Sequence, residues 1–187
     1  MSGINGIDAP DEMNSEWARE LDRVLDVGAR GVSGVSGGAL HHVGIAVPSI
    51  HAVYEAIARS IGAEVDSPVL TDPLQKVSAL FLFQPSLGRR IELIEPVGAA
   101  SPITRFLQKT GGGVHHLCFK TDDLDAEMVR LKSEGARVVC PPVEACGFHG
   151  ARIAFCYTRE RVLLELAETP VTYDRVSADG KRDHCRC

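Results

Sequence analysis

The residues of this chain best suited to chemistry come as two matched pairs. His42 stands in the run HHVGIAV (41–47) and Glu92 in IELIEP (91–96), while His116 stands in HHLCFKT (115–121) and Glu165 in LELAET (164–169). The two histidines are 74 positions apart and the two glutamates 73. Imidazole and carboxylate ligands with open positions suit Zn, Co, Ni, Mn or Fe(II). A carboxylate flanked by apolar strand residues is costly to bury unless something compensates its charge. One divalent cation does so for two glutamates at once. Four such residues at equivalent points of a duplicated unit point to a metal site with His42, Glu92, His116 and Glu165 as ligands. Which metal it takes does not follow from ligand type.

The elements that must position these four repeat as well. Pro48-Ser49 and Asp122-Asp123 sit at the same offset and read as helix starts. Ile50, Tyr54 and Ile57 match Leu124, Met128 and Leu131, the i, i+4, i+7 stripe of an amphipathic helix. Gly62 and Gly135 then stop the two helices. Strands are expected near 64–70, 76–83 and 90–95 in the first half, and near 137–140, 151–157 and 162–167 in the second. Between the halves, Ser101 as N-cap, Pro102 at N1 and a run of glycines predict a short helix over about 101–110. The fold class expected is α+β: two βαβββ modules in tandem, forming a curved mixed-sheet cleft around the metal. Side chains alternate across a strand. His42, Gly44 and Ala46 therefore share one face, and Val43, Ile45 and Val47 pack under a helix. The same alternation sends His41 and His115 to the face opposite the ligands.

Length and composition set the frame. The chain has 187 residues, is 44% hydrophobic and carries a net charge of −5, which fits one globular domain with a sizeable core. The body is expected over 40–168, with modules at about 40–97 and 113–168. Residues 1–39 read as an extension, with an amphipathic helix over 15–27 and a glycine-rich linker after it. The polar tail, 169–187, is expected to fray. No basic stripe suggests a nucleic-acid partner, and no apolar run approaches a membrane span. Six cysteines without a compact framework read as reduced thiols of a cytoplasmic protein.

The stretches HHVGIAV, RIELIEP followed by SPITRFLQK, GGGVHHLCFKTDDLDA and VLLELAE resemble the vicinal oxygen chelate superfamily, and within it the methylmalonyl-CoA epimerase branch. The resemblance covers about residues 41–168. It implies paired βαβββ modules, a divalent cation on the four residues named, an acyl-CoA or similar acyl thioester as substrate, and a homodimer. It also implies that a proton α to the thioester carbonyl is removed, with Glu165 as one base.

The second base is where the chain departs. That branch places a glutamate before the third strand, in a segment like PEQGV or PEHGV. This chain reads DPLQKV, with Leu74 at the glutamate position. Asp72 reaches the site only if the loop is rebuilt. Near the end of the third strand of the second half, FLHP becomes FCYT (155–158). Tyr157 and Cys156 are the acid/base candidates there. The loop ACGFHGAR (145–152) faces the cleft by analogy, so His149 and Arg152 are expected to meet an anionic group of the substrate. Three other readings share the scaffold: a glyoxalase I-like lyase, an Fe(II) dioxygenase using His42, His116 and Glu165, and a non-catalytic ligand-binding or resistance protein. A fourth protein ligand, Glu92, argues against the dioxygenase.

Overall fold

The computed structural model describes residues 38–145, 148, 150–170, 172–176 and 182–186. The helix expected over 15–27 lies outside them. The first half runs β1 (Leu40–Ala46), α1 (Ile50–Ile61), β2 (Glu64–Val65), β3 (Leu70–Asp72), β4 (Val77–Gln84) and β5 (Arg89–Pro96). After α2 (Thr104–Thr110), the second runs β6 (Gly113–Thr121), α3 (Leu124–Ser133), β7 (Arg137–Glu144), β8 (Arg152–Tyr157) and β9 (Leu163–Glu168). The sheet order is β2-β4-β5-β1-β6-β9-β8-β7, with β3 also on β4. It is an open mixed sheet with few helices, an α+β fold. β1 pairs parallel with β5, β6 parallel with β9, and β1 antiparallel with β6. In each half the opening strand thus lies beside the closing one, and four adjacent strands make the centre.

α1 and α3 pack on the sheet through the stripes that the periodicity gives. Ile50, Tyr54 and Ile57 of α1 join Ile45, Val47, Leu80, Leu82 and Leu93 in one apolar cluster. Leu124, Met128 and Leu131 of α3 join Leu117, Phe119, Ala154, Cys156, Leu164 and Leu166 in another. Each helix start is held by a carboxylate from the closing strand of its own half. The Ile50 N–H donates to Glu95 Oε2 at 2.7 Å, and the Leu124 N–H to Glu168 Oε1 at 3.4 Å. Acid at a helix N-terminus meets the positive end of the helix dipole. Asp123 adds a side-chain cap, accepting from the Ala126 N–H at 2.9 Å.

Four expectations change. The strand expected over 64–70 is broken in two at 66–69. Asp66 there accepts from Arg90 Nε at 2.7 Å, the Ser67 hydroxyl accepts from the Phe81 N–H at 2.9 Å, and Pro68 has no N–H to give a ladder. α2 begins at Thr104 rather than at 101, because 101–104 close a turn (Thr104 N–H to Ser101 O, 3.2 Å) that buries Ile103 against Ala46, Val77 and Ile94. β7 runs on past Cys140 through Pro141 and Pro142, which an edge strand tolerates. The tail does not simply fray: β10 (Thr172–Val176) pairs antiparallel with β11 (Arg182–Arg186). Strand-forming Thr, Tyr and Val in the first outweigh the polarity that argued for a frayed end. No described helix is long and apolar enough to cross a membrane.

Candidate metal centre

The four residues singled out by the repeat stand on the four central strands, with His42 on β1, Glu92 on β5, His116 on β6 and Glu165 on β9. All four are buried. His42 Nε2 lies 3.0 Å from His116 Nε2, 3.3 Å from Glu92 Oε2 and 3.2 Å from Glu165 Oε2. His116 Nε2 lies 3.3 Å from Glu92 Oε2 and 3.0 Å from Glu165 Oε2. One ligand atom from each falls within 4.8 Å of all the others.

The arrangement fits a cation. Ligand bonds of about 2.0–2.2 Å to nitrogen and oxygen leave ligand atoms about 3.0–3.5 Å apart, the spacing these side chains adopt. Two imidazole Nε2 atoms facing each other at 3.0 Å cannot both carry protons comfortably; two lone pairs aimed at one ion can share that space. Without the ion, the groups balance one another. Burial raises the Glu92 carboxyl, but the two imidazoles outweigh it and hold Glu92 down at about 2. Glu165 is held lower still by the same opposition, its hydrogen bonds from His116 and His42 overriding burial. Burial depresses both imidazoles in turn, yet the glutamates lift His116 to about 9 and raise His42 above its ordinary value.

Two β-bulges bring a second pair of histidines to the same place. Along β1 the pairing jumps from Leu40↔Phe119 to His42↔Cys118, and along β6 from Gly44↔His116 to Ile45↔Val114. His41 and His115 are the extra residues. A bulge puts two neighbouring side chains on one side of the strand, so these histidines do not take the opposite face that simple alternation gives. His41 Nδ1 meets His42 Nδ1 at 2.8 Å, and His115 Nδ1 meets His116 Nδ1 at 3.1 Å. Burial drives His41 down to about 3 and His115 to about 4, so both are neutral acceptors near neutrality. Each can accept the Nδ1–H of its neighbour, which leaves the neighbour's Nε2 lone pair on the centre. Such a partner fixes tautomer and ring orientation in a metal-binding histidine. The HH doublet at equivalent points of the repeat is the sequence signal for it.

Gly44 is fixed by the same crowding. A Cβ there would lie 2.1 Å from Cε1 of His116. The equivalent position in the second half is Cys118, opposite His42, fully buried and with its thiol pushed well above its usual range by burial and by the two glutamates.

Above the centre opens a cleft of about 620 Å³. Phe81, Phe148, Phe155 and Tyr157 wall it, and Glu92, His116 and Glu165 reach it from below. Tyr157 therefore stands where the sequence placed it, two residues along β8 from Phe155, which pairs with Glu165. Arg152 does not. It lies on the helix-facing side of β8, donating to Glu168 at 2.8 and 2.7 Å and to Asp125 at 2.9 Å, away from the cleft lining. The even period of the strand puts it there with Ala154 and Cys156. Cys156 is buried among α3 residues and is no acid/base group of the cleft. His149 lies outside the described residues. At the mouth, Leu74 lines the cleft while 69% exposed. Asp72 is not a substitute base, since its Oδ1 accepts from the Leu74 and Gln75 N–H groups, both at 2.9 Å, and holds the turn closed.

Residues 41–155 match the family model of the Glyoxalase/Bleomycin resistance protein/Dioxygenase superfamily. The chain is 38% identical over 124 residues to an ethylmalonyl-CoA/methylmalonyl-CoA epimerase of Cereibacter sphaeroides, spanning 66% of this chain and 90% of that one. It is 36% identical to the mitochondrial methylmalonyl-CoA epimerase of Homo sapiens, over 70% of this chain and 74% of the relative. Among solved structures, the methylmalonyl-CoA epimerase of Mycobacterium tuberculosis superposes with a TM-score of 0.64 at 30% identity, covering 75% of this chain and 94% of that one. A variant of the Streptomyces coelicolor enzyme in complex with 2-nitronate-propionyl-CoA gives 0.61 at 29%, covering 72% and 98%.

Proposed function

For a chain that belongs to the glyoxalase/bleomycin resistance protein/dioxygenase superfamily, we propose an epimerase-like isomerase that removes the proton α to the thioester carbonyl of an acyl-CoA. The observation that carries this reading is the four-residue centre at the floor of the cleft, in a chain whose similar relatives are acyl-CoA epimerases. His42, Glu92, His116 and Glu165 would hold a divalent cation, which supplies a Lewis acid for the oxyanion that develops as the proton leaves.

The chain's own residues do the rest. His41 and His115 keep the two ligand imidazoles aimed at the centre. Phe81, Phe148 and Phe155 exclude water around it, which strengthens each electrostatic contact inside. Glu165, reaching the cleft from its floor, is the carboxylate placed to accept the α-proton. Tyr157, on the cleft wall, is a further group able to exchange a proton. A carbon acid that inverts needs a group on each face, and Leu74 offers none at the mouth. That single residue favours a second reading on the same substrate class, in which one base removes and returns the proton on one face.

The deciding experiment follows α-proton exchange. The Co(II)-loaded protein is given methylmalonyl-CoA in deuterated water, and deuterium uptake and stereoisomer ratio are recorded. Uptake with inversion establishes the epimerase and assigns the opposite face to a group such as Tyr157. Uptake with retention establishes the one-base reading. No uptake by protein shown to hold metal overturns both.

A further inference from the structure

The turn between β3 and β4 holds a residue whose backbone and side chain both call for an explanation. Lys76 has φ of +56°. That left-handed conformation suits glycine and is uncommon for a residue with a Cβ. The backbone around it is tightly held. Asp72 ties down 74 and 75, Asp72 pairs with Val77 across the turn, and the Lys76 carbonyl accepts from the Val97 N–H at 2.9 Å. Strain that a rigid frame maintains tends to gather at functional sites, and the inference runs from the outlier to a role.

The side chain supplies the role. Among the described residues lining the cleft, Lys76 is the one Lys or Arg, and the acids there number three: Asp72, Glu92 and Glu165. Arg90 and Arg152, which do not line the cleft, are engaged with Asp66 and with Glu168 and Asp125. Among the described residues Lys76 takes part in no ion pair, and it is exposed at the mouth. At the mouth, ahead of the centre at the floor, an approaching anion meets the Lys76 ammonium as the one Lys or Arg charge among the described lining residues. Leu74, two residues before it, presents an apolar surface to the same opening.

We infer that Lys76 is a specificity-determining residue that binds an oxyanion of the substrate, a carboxylate or a phosphate, at the mouth of the cleft. The inference rests on the acyl-CoA reading above. An ammonium on a flexible stem suits either anion as a point charge, and the turn is retained at the expense of a strained backbone because it delivers that charge.

The test compares three ligands on Co(II)-loaded full-length protein by titration calorimetry: methylmalonyl-CoA, propionyl-CoA and methylmalonyl-pantetheine. Propionyl-CoA lacks the acyl carboxylate, and the pantetheine thioester lacks the nucleotide phosphates. The variants are Lys76→Gly, Lys76→Met and Lys76→Arg. Loss of a charge-assisted contact weakens binding roughly tenfold. If Lys76 holds the acyl carboxylate, Lys76→Met and Lys76→Gly weaken methylmalonyl-CoA and methylmalonyl-pantetheine and leave propionyl-CoA unchanged. If it holds a phosphate, they weaken both CoA esters and spare the pantetheine. Lys76→Arg retains affinity in either case, and Lys76→Gly melts at the same temperature as the parent or above it, since glycine relieves the positive φ. Parent-like affinity of Lys76→Met and Lys76→Gly for all three ligands overturns the inference while the acyl-CoA reading stands. Failure of the parent protein itself to bind any of the three overturns that reading and the role of Lys76 with it.

Discussion

The floor and the mouth of the cleft are built on opposite terms. At the floor, four buried side chains from four adjacent strands converge, and its two histidines are each backed by a bulge and a neighbouring histidine, His116 also by a glycine that leaves room. Nothing there is free to vary alone, because an unbalanced charge in that position is expensive. At the mouth, Leu74 and Lys76 sit exposed on a four-residue turn whose frame is set by Asp72. The frame is rigid and the two side chains are not constrained by packing. On the proposed reading, the floor would serve the chemistry of any substrate and the mouth would select among substrates.

The largest test of the contrast is at the floor. Glu165→Gln is expected to lower α-proton exchange by on the order of 10³-fold while far-UV circular dichroism stays that of the parent; unchanged exchange would remove Glu165 from the mechanism. Leu74→Glu, at the mouth, restores a carboxylate where the epimerase branch has one. Inversion of methylmalonyl-CoA is expected to rise by about 10²-fold with the melting temperature unmoved, because position 74 is exposed. An unaltered stereoisomer ratio would break the link between Leu74 and one-base behaviour. Gly44→Ala intrudes on the ring of His116, so metal affinity is expected to fall by about 10- to 100-fold, as when the support of a metal-binding histidine is disturbed. Co(II) titration followed by visible absorption measures it.

The smallest effect concerns the floor without its ion. His116 is raised from 6.5 to about 9, so its contribution to stability is complete below pH 6.5 and is lost as pH climbs through 9. Glu92 is lowered from 4.5 to about 2, so its contribution is present above pH 4.5 and is lost as pH falls through 2. In chelator the centre therefore stabilises the fold most between pH 4.5 and 6.5. The melting temperature is expected to drop by a few degrees between pH 6.5 and 9. With metal present that drop should vanish, because binding needs neutral imidazoles. A melting temperature rising with pH in chelator would contradict the mutual pairing of the four groups.

The four residues of the candidate centre, α1 and α3 are legible in the sequence because repetition makes each residue check its counterpart. Ile50 and Leu124 could be matched at one offset, and so could His42 and His116. Residues outside strict alternation were not. His41 and His115 turn inward only because each strand bulges, and a bulge has no composition of its own beyond the doublet itself. Arg152 was misplaced because its loop was assigned to the cleft by likeness, whereas β8 begins at Arg152 and its period sends that side chain to the helix layer. The break at 66–69 and the positive φ of Lys76 go with tertiary hydrogen bonds from Phe81, Arg90 and Val97, all distant in sequence.

The order β5-β1-β6-β9 has a mechanical side as well. The ligands are distributed one to a strand, so a single ion would rivet three successive seams, the middle one being the junction of the two halves. Load applied to part the halves would act on the rivet first, and backbone amides along β1 and β6 would then open for solvent exchange only as fast as the ion lets go.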